Sequence, residues 1–300
     1  MELNMIELKI ERYRNTNMFL IAVVLFLLSS FNCYSQQIKG SVIDENTGEK
    51  LAYVHIGVEG RNIGTISDDQ GVFQIDLEKI GNDERILFSS IGYETKVLIK
   101  SNIGNEKLVI KLKPTIYKLE EVIVTATKNK SKNKRIKLGR YKLSKTTIGQ
   151  SGIDEFGYGG EWGIKIKYTG IKYYLEEVNF HTKFNTVDSV LYRINVYKTE
   201  GGLPTESKLN KTQFVKSYKK DKWIKANLLT QNLLIEDDII VTFELVRIWY
   251  SKKGDNYLFY TYGKKYKEGM SYSKNSSFDK WRINERPPIA MYITGIIQDE

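Results

Sequence analysis

Residues 37–58 read QIKGSVIDENTGEKLAYVHIGV, two apolar–polar alternations parted by a polar turn. Ile38, Gly40 and Val42 alternate with Lys39 and Ser41, the two-residue period of a strand with one buried face. Residues 44–48, Asp-Glu-Asn-Thr-Gly, then reverse the chain, because Asp and Asn side chains bond nearby backbone and glycine accepts a positive φ. The alternation resumes over 51–58, which predicts Ala52, Val54, Ile56 and Val58 on a dry face and Tyr53 and His55 on a wetter one.

The pattern continues outward from that stretch. Segments 63–66 and 71–77 flank Ser67-Asp68-Asp69-Gln70-Gly71, which reads as a hairpin closed by its glycine. Strands are expected over 86–91, 95–99 and 108–112, with Gly92-Tyr93 at a bend. Short strands with a turn signal about every ten residues are the pattern of an all-β sandwich or barrel.

Four elements in this order and spacing carry a resemblance: Gly40-Ser41-Val42 with Asp44; residues 62–65 with Asp68, Gly71 and Phe73; Ser90-Ile91-Gly92-Tyr93; and LEEVIVTA at 119–126. Together they resemble the carboxypeptidase regulatory-like domain, a transthyretin-like sandwich of exported and outer-membrane proteins in Bacteroidetes-type bacteria. The resemblance covers residues 36–126 and implies a seven-stranded transthyretin/Ig-like β-sandwich without catalytic residues. LEEVIVTA is also similar to the stretch that follows this module in large TonB-dependent transporters. Too few of the 300 residues remain after Ala126 for a plug and a large membrane barrel, so none is expected to follow.

The first 35 residues have the order of an export signal. Lys9, Arg12 and Arg14 precede an apolar run over 18–28, and the small residues Cys33 and Ser35 suit cleavage before Gln36. The apolar part is shorter than the roughly 20 residues that span a bilayer, which favours a cleaved signal over an anchor. Lipidation of Cys33 is less favoured, because Phe31 and Asn32 are poor neighbours for it. Cleavage would remove the only cysteine, so the mature chain would hold by packing without disulfides, in the periplasm or associated with the outer membrane.

The chain carries a net charge of +10. Nine basic residues and no acid lie between Lys128 and Lys145, which reads as a solvated linker over 127–148. Lys128, Lys130, Lys132, Lys134, Arg135 and Lys137 are the candidates for contact with anionic lipid or lipopolysaccharide, and nucleic acid is not expected as a partner.

From residue 149 to the end, longer strands with more aromatics are expected. Val190, Tyr192, Ile194 and Val196 alternate with Leu191, Arg193, Asn195 and Tyr197, and Ile239, Val241, Phe243 and Leu245 repeat the period. Through RINVYK, GGLPTESKL, DKWIKANL and EDDIIVTFELV this half loosely resembles uncharacterised jelly-roll-like domains found with the regulatory-like module. The fold expected is therefore all-β: the small sandwich, then a larger antiparallel jelly-roll-like β-sandwich over 149–300.

Catalytic signatures are weak throughout. The two histidines, His55 and His181, fall in different halves without a Cys-His or HExxH set, so no metal site is expected. No G-x-S-x-G elbow occurs. In residues 157–163, GYGGEWG, Trp162 stands where a phosphate-binding G-x-G-x-x-G needs its third glycine, and the stretch reads as a loop. The carboxylate pairs Asp68-Asp69, Asp154-Glu155, Glu176-Glu177 and Asp237-Asp238 are adjacent in sequence and would point to opposite faces of a strand. No catalytic residue or cofactor is assigned.

Aromatic residues remain. Trp223 and Trp249 are expected in the core, while Tyr257, Tyr260, Tyr262, Tyr266 and Tyr272 are candidates for an exposed ligand platform. The function expected is that of an exported, non-enzymatic cell-envelope protein recognising an envelope protein or a glycan. The alternative is a carbohydrate-binding accessory of an outer-membrane polysaccharide uptake system, and an enzyme with an unrecognised site in the second half comes third.

Overall fold

Seven short strands arise where the alternation predicts them, because each can bury one face only against a second sheet. The computed structural model describes residues 37–104, 107–115, 134–151, 158–251, 257–264, 270–285 and 287–298. The leader, LEEVIVTA, Lys128, Lys130, Lys132 and Tyr266 lie outside the described residues.

The strands are β1 (Gln37–Asp44), β2 (His55–Val58), β3 (Gly64–Ile66), β4 (Val72–Asp76), β5 (Arg85–Ser89), β6 (Lys96–Ile99) and β7 (Leu108–Leu112). One sheet has the order β4-β1-β7, with β1 and β7 parallel, and the other the order β3-β2-β5-β6. Val42, Phe73, Ile75 and Ile110 from the first meet Ile56, Val58, Ile86 and Phe88 from the second. Phe73 and Phe88 touch edge to face across the gap, with centroids 5.6 Å apart. Each such side chain contributes about 1.5–3 kcal/mol by leaving water.

Two local expectations are corrected. The strand expected over 51–58 begins only at His55, because Tyr53 sits at φ 59° and breaks the extended run. The turn at 67–71 is not a hairpin, since β3 and β4 belong to different sheets. Asp68 accepts through Oδ1 from the Gln70 and Val72 amides, and Gly71 takes φ +70° as expected. Turn residues specify a reversal, but the sheet that the chain then enters is set by which face must be buried.

The second half comprises β8 (Arg135–Gly139), β9 (Leu143–Ser151), β10 (Glu161–Ile166), β11 (Tyr173–Asn185), β12 (Ser189–Glu200), β13 (Leu203–Lys208), β14 (Gln213–Tyr218), β15 (Trp223–Asn227), β16 (Leu234–Ile235), β17 (Ile239–Trp249), β18 (Tyr257–Gly263), β19 (Ser271–Lys274), β20 (Arg282–Asn284) and β21 (Met291–Ile297). One sheet runs β13-β12-β17-β10-β19-β20, with β14 also on β12. The other runs β8-β21-β11-β18-β9, with β15 and β16 also on β11. Their inner faces share one core in which Phe180 stacks on Phe243 at 4.3 Å.

Tyrosine, more than tryptophan, fills this core. Tyr173, Tyr192 and Tyr260 are buried, and the Tyr260 hydroxyl donates to that of Tyr192 at 3.2 Å. Trp223 and Trp249, expected inside, are only half-buried: Trp223 lies edge-on to His181 and Tyr292, and Trp249 lies under Lys216 and Arg247.

The expected linker also folds differently. Residues 135–139 and 143–151 are β8 and β9, paired with β21 and β18. Ile136 and Leu138 pack against the core while Arg135 and Lys137 face out, so the density of charge concealed a strand period. The second sandwich thus begins near residue 134, and the described residues from 37 onward form one compact unit.

Candidate functional site

The polar face of β12 contributes to a buried cluster of charges. Val190, Tyr192, Ile194 and Val196 point into the core, which turns Arg193, Asn195 and Tyr197 to the opposite side of the sheet. Register then sets Arg193 opposite Glu244 of β17, Glu244 opposite Glu161 of β10, and Glu161 opposite Lys274 of β19. Four charges therefore stand in one row across four strands, in the order plus, minus, minus, plus.

Both glutamates are fully buried, at 0% exposure. Glu161 accepts from the Tyr197 hydroxyl at 3.0 Å and the Thr242 hydroxyl at 2.5 Å, and it pairs with Lys274 at 2.8 Å. Glu244 pairs with Arg193 at 3.3 Å, accepts from the Asn195 amide at 3.2 Å, and has Lys208 at 4.0 Å. Burial opposes ionisation of Glu244, but Arg193, His55 and Lys208 override it and hold the carboxyl well below its ordinary range. Burial likewise opposes ionisation of Glu161, where Lys274 and Lys208 prevail. Lys208 itself is pulled down to about 8, chiefly by burial.

The first sandwich closes over this row. Arg193 Nη2 donates to the Tyr53 carbonyl at 2.6 Å. Nε2 of His55 lies 2.7 Å from Glu244 Oε1 and 2.5 Å from Arg193 Nη1, so either tautomer of the neutral ring serves one of the two partners. Burial, helped by Arg193 and Lys208 and resisted by Glu244, lowers the His55 pKa to about 4. Arg247 pairs with Asp69 at 2.6 Å, and the Gly60 amide donates to the Phe278 carbonyl at 2.9 Å. Residues 276–279 are wedged in the same seam, where the Ser277 hydroxyl donates to the Thr65 carbonyl. A Cβ at Gly57 or Gly64 would lie 2.5 or 2.8 Å from the Ser277 carbonyl oxygen, so the approach requires glycine at both positions.

This cluster pairs two carboxylates, as hydrolases do, but each is closed off from solvent and fully engaged with protein donors. Its chemistry is that of a lock between the two sandwiches. The search for adjacent acids missed it because its members come from six strands; the legible signal was a strand with Arg, Asn and Tyr on the face opposite an apolar one.

A second feature lies at the edge between the two sheets of the larger sandwich. A cleft of about 180 Å³ is walled by Trp162 of β10, Ile148 of β9, Tyr262 of β18 and Ile289, with Ser271 and Ser273 of β19 and Asn284 of β20 as polar lining. Trp162 is held from the core side by Phe243 and Tyr260, at 6.0 and 6.3 Å between centroids.

The expected tyrosine platform is only partly present. Tyr260 and Tyr272 are buried, at 5% and 1% exposure, because their strand positions face packed layers, while Tyr257 and Tyr262 are half-buried. Tyr262 and Tyr272 border the cleft. Among the basic candidates, Lys134 is exposed, Arg135 pairs with Glu176 at 3.1 Å, and Lys137 Nζ sits 4.0 Å from the Tyr292 ring centre. His181 is buried, with Nδ1 2.7 Å from the Thr261 hydroxyl. Among the described residues, no group of three or more His, Cys, Asp or Glu is placed to hold a metal ion.

No curated protein matches the chain. A solved structure titled "Structure of infectious bursal disease virus Gx strain" is 8% identical over 87% of this chain with a TM-score of 0.25, too low to bear on the fold; the chain spans 64% of that structure's length. Residues 38–124 match the family model described as CarboxypepD_reg-like domain, and the first sandwich is accordingly a carboxypeptidase regulatory-like domain.

Proposed function

We propose that this is an exported, non-enzymatic cell-envelope protein of a Bacteroidetes-type bacterium. Its regulatory-like module acts as a fixed brace on the larger sandwich, which recognises an envelope partner. The buried row Arg193–Glu244–Glu161–Lys274, capped by His55 and Tyr53, carries this reading. Its ionisable groups hold two sandwiches together and leave no carboxylate of the row open to a substrate. The leader-like order of residues 1–35 supports export.

Crosslinking of the full chain in envelope fractions, followed by identification of its partners, tests the reading. Recovery in the cytoplasm, or turnover of an envelope polymer by the purified chain, would overturn it. The alternative of a carbohydrate-binding accessory is favoured by the cleft at Trp162 and Tyr262, which combines aromatic faces with hydroxyl and amide groups.

A further inference from the structure

The cleft between β10, β19 and β20 on one side and β9 and β18 on the other differs in kind from the charged seam. Although 27% of the chain is charged, none of the described residues that line the cleft is. Among the described lining residues no side chain offers an anionic or cationic ligand a counter-charge to offset its desolvation. The occupant that fits is neutral.

The polar groups in the cleft are also unsatisfied by the fold. Among the described residues, the Trp162 indole N–H, the Tyr262 hydroxyl and the Ser271 hydroxyl have no protein hydrogen-bond partner. Asn284 donates one amide hydrogen to Ser273 at 2.8 Å, which orients its carboxamide and leaves the oxygen free to accept. A ligand with several hydroxyls, each both donor and acceptor, complements this set. The aromatic faces of Trp162 and Tyr262 add the flat apolar surface on which the C–H face of a pyranose ring packs. At about 180 Å³ the cleft is smaller than the roughly 300 Å³ at which pockets for drug-sized molecules begin, so it holds one ring and not a chain of them.

From these observations we infer that the cleft binds a single neutral glycosyl residue, as a free monosaccharide or as the end of a glycan. Trp162 and Tyr262 are the stacking surfaces, and Ser271 and Asn284 are the hydrogen-bonding groups. The inference rests on the reading of the chain as a binding protein and names the ligand class of that binding. Trp162 is rigid before the ligand arrives, since Phe243 and Tyr260 fix its ring from behind.

The test is titration of the full chain with D-glucose, D-galactose, D-mannose and N-acetylglucosamine, with glucose 6-phosphate as the charged control. Saturation-transfer NMR and tryptophan fluorescence are the readouts. At least one neutral sugar is expected to bind saturably in the millimolar range, with the phosphorylated sugar weaker. S271A combined with N284A removes polar atoms and, within the fold, the single Asn284–Ser273 hydrogen bond; it is expected to weaken binding about tenfold or more while the urea midpoint moves only slightly. W162A is expected to abolish binding, and because Trp162 also touches the core, the polar double variant, with its unfolding measured alongside, separates lost binding from lost folding.

Absence of saturable binding to every neutral sugar, equal binding of the phosphorylated one, or full affinity in the double variant would overturn the inference. Envelope retention of a chain that binds no sugar would remove the cleft inference and leave the scaffold reading standing. Sugar binding by a chain recovered from the cytoplasm would do the reverse.

Discussion

Arg193 and Tyr53, 140 positions apart in sequence, are joined by a 2.6 Å hydrogen bond from the guanidinium to the backbone carbonyl. Tyr53 holds φ 59°, a left-handed conformation that costs a non-glycine residue about 1–3 kcal/mol. Its ring packs edge-on to Phe214 at 5.3 Å, and the Arg193 guanidinium lies over the Phe214 ring at 5.2 Å. One arginine thus serves a strained carbonyl, a buried carboxylate and an aromatic face, and the docking of the two sandwiches depends on it.

Arg193→Met leaves the Tyr53 carbonyl without this donor and Glu244 without its nearest permanent cation in a dry seam. The expected loss is about 3–5 kcal/mol in urea unfolding, with Arg193→Lys recovering part of it through charge but not geometry. A loss below about 1 kcal/mol would show that water replaces the guanidinium.

Acid should loosen the seam through His55. Its folded pKa is depressed to about 4 from 6.5, so between those values the unfolded chain binds more protons. Stability is full above about pH 6.5 and declines as the pH falls toward 4, by roughly 3 kcal/mol from this group. The Glu244 carboxyl, held well below 4.5, adds a further loss at lower pH. His55→Asn should flatten the upper part of the profile, and an unchanged slope would assign it elsewhere.

Lys208 should titrate near pH 8 in the folded chain, readable by carbon NMR of labelled lysine. Burial is the main cause and Glu244 opposes it, so Glu244→Gln should move the titration lower still. A Lys208 that titrates in the ordinary lysine range would place its amine in water.

Gly57→Ala and Gly64→Ala each force a Cβ against the Ser277 carbonyl, and each is expected to destabilise by about 1–3 kcal/mol in thermal unfolding. Gly104→Ala, where nothing lies within 4 Å, is the control expected to change little.

A chain truncated to residues 149–300 should unfold more readily than one kept from 134, because it loses β8 and most of β9. Ile136, Leu138 and Ile148 would no longer cover the core, and β21 and β18 would each present an unpaired edge. Equal stability of the two truncated chains would mean that these strands add no net packing.

Much of the architecture is local and could be read directly. The alternation of Ile38, Gly40 and Val42, the turn at 44–48 and the repeat at Val190, Tyr192, Ile194 and Val196 fix strands and inner faces, because side chains flip at every residue and only one face can be dry. The same rule turned Arg193, Asn195 and Tyr197 to one side, yet nothing in β12 alone names their partners. Glu244 and Glu161 become neighbours only through register between strands far apart in the chain, and His55 reaches them only when one sandwich docks on the other. Alternation was likewise present in Arg135–Gly139, beneath a charge density that suggested a tether. Periodicity within a segment determined that this protein is built of two-faced strands; which polar faces meet, and so where the buried charges and the neutral cleft lie, was decided by tertiary packing, since contact between distant segments depends on register and docking that no local pattern encodes.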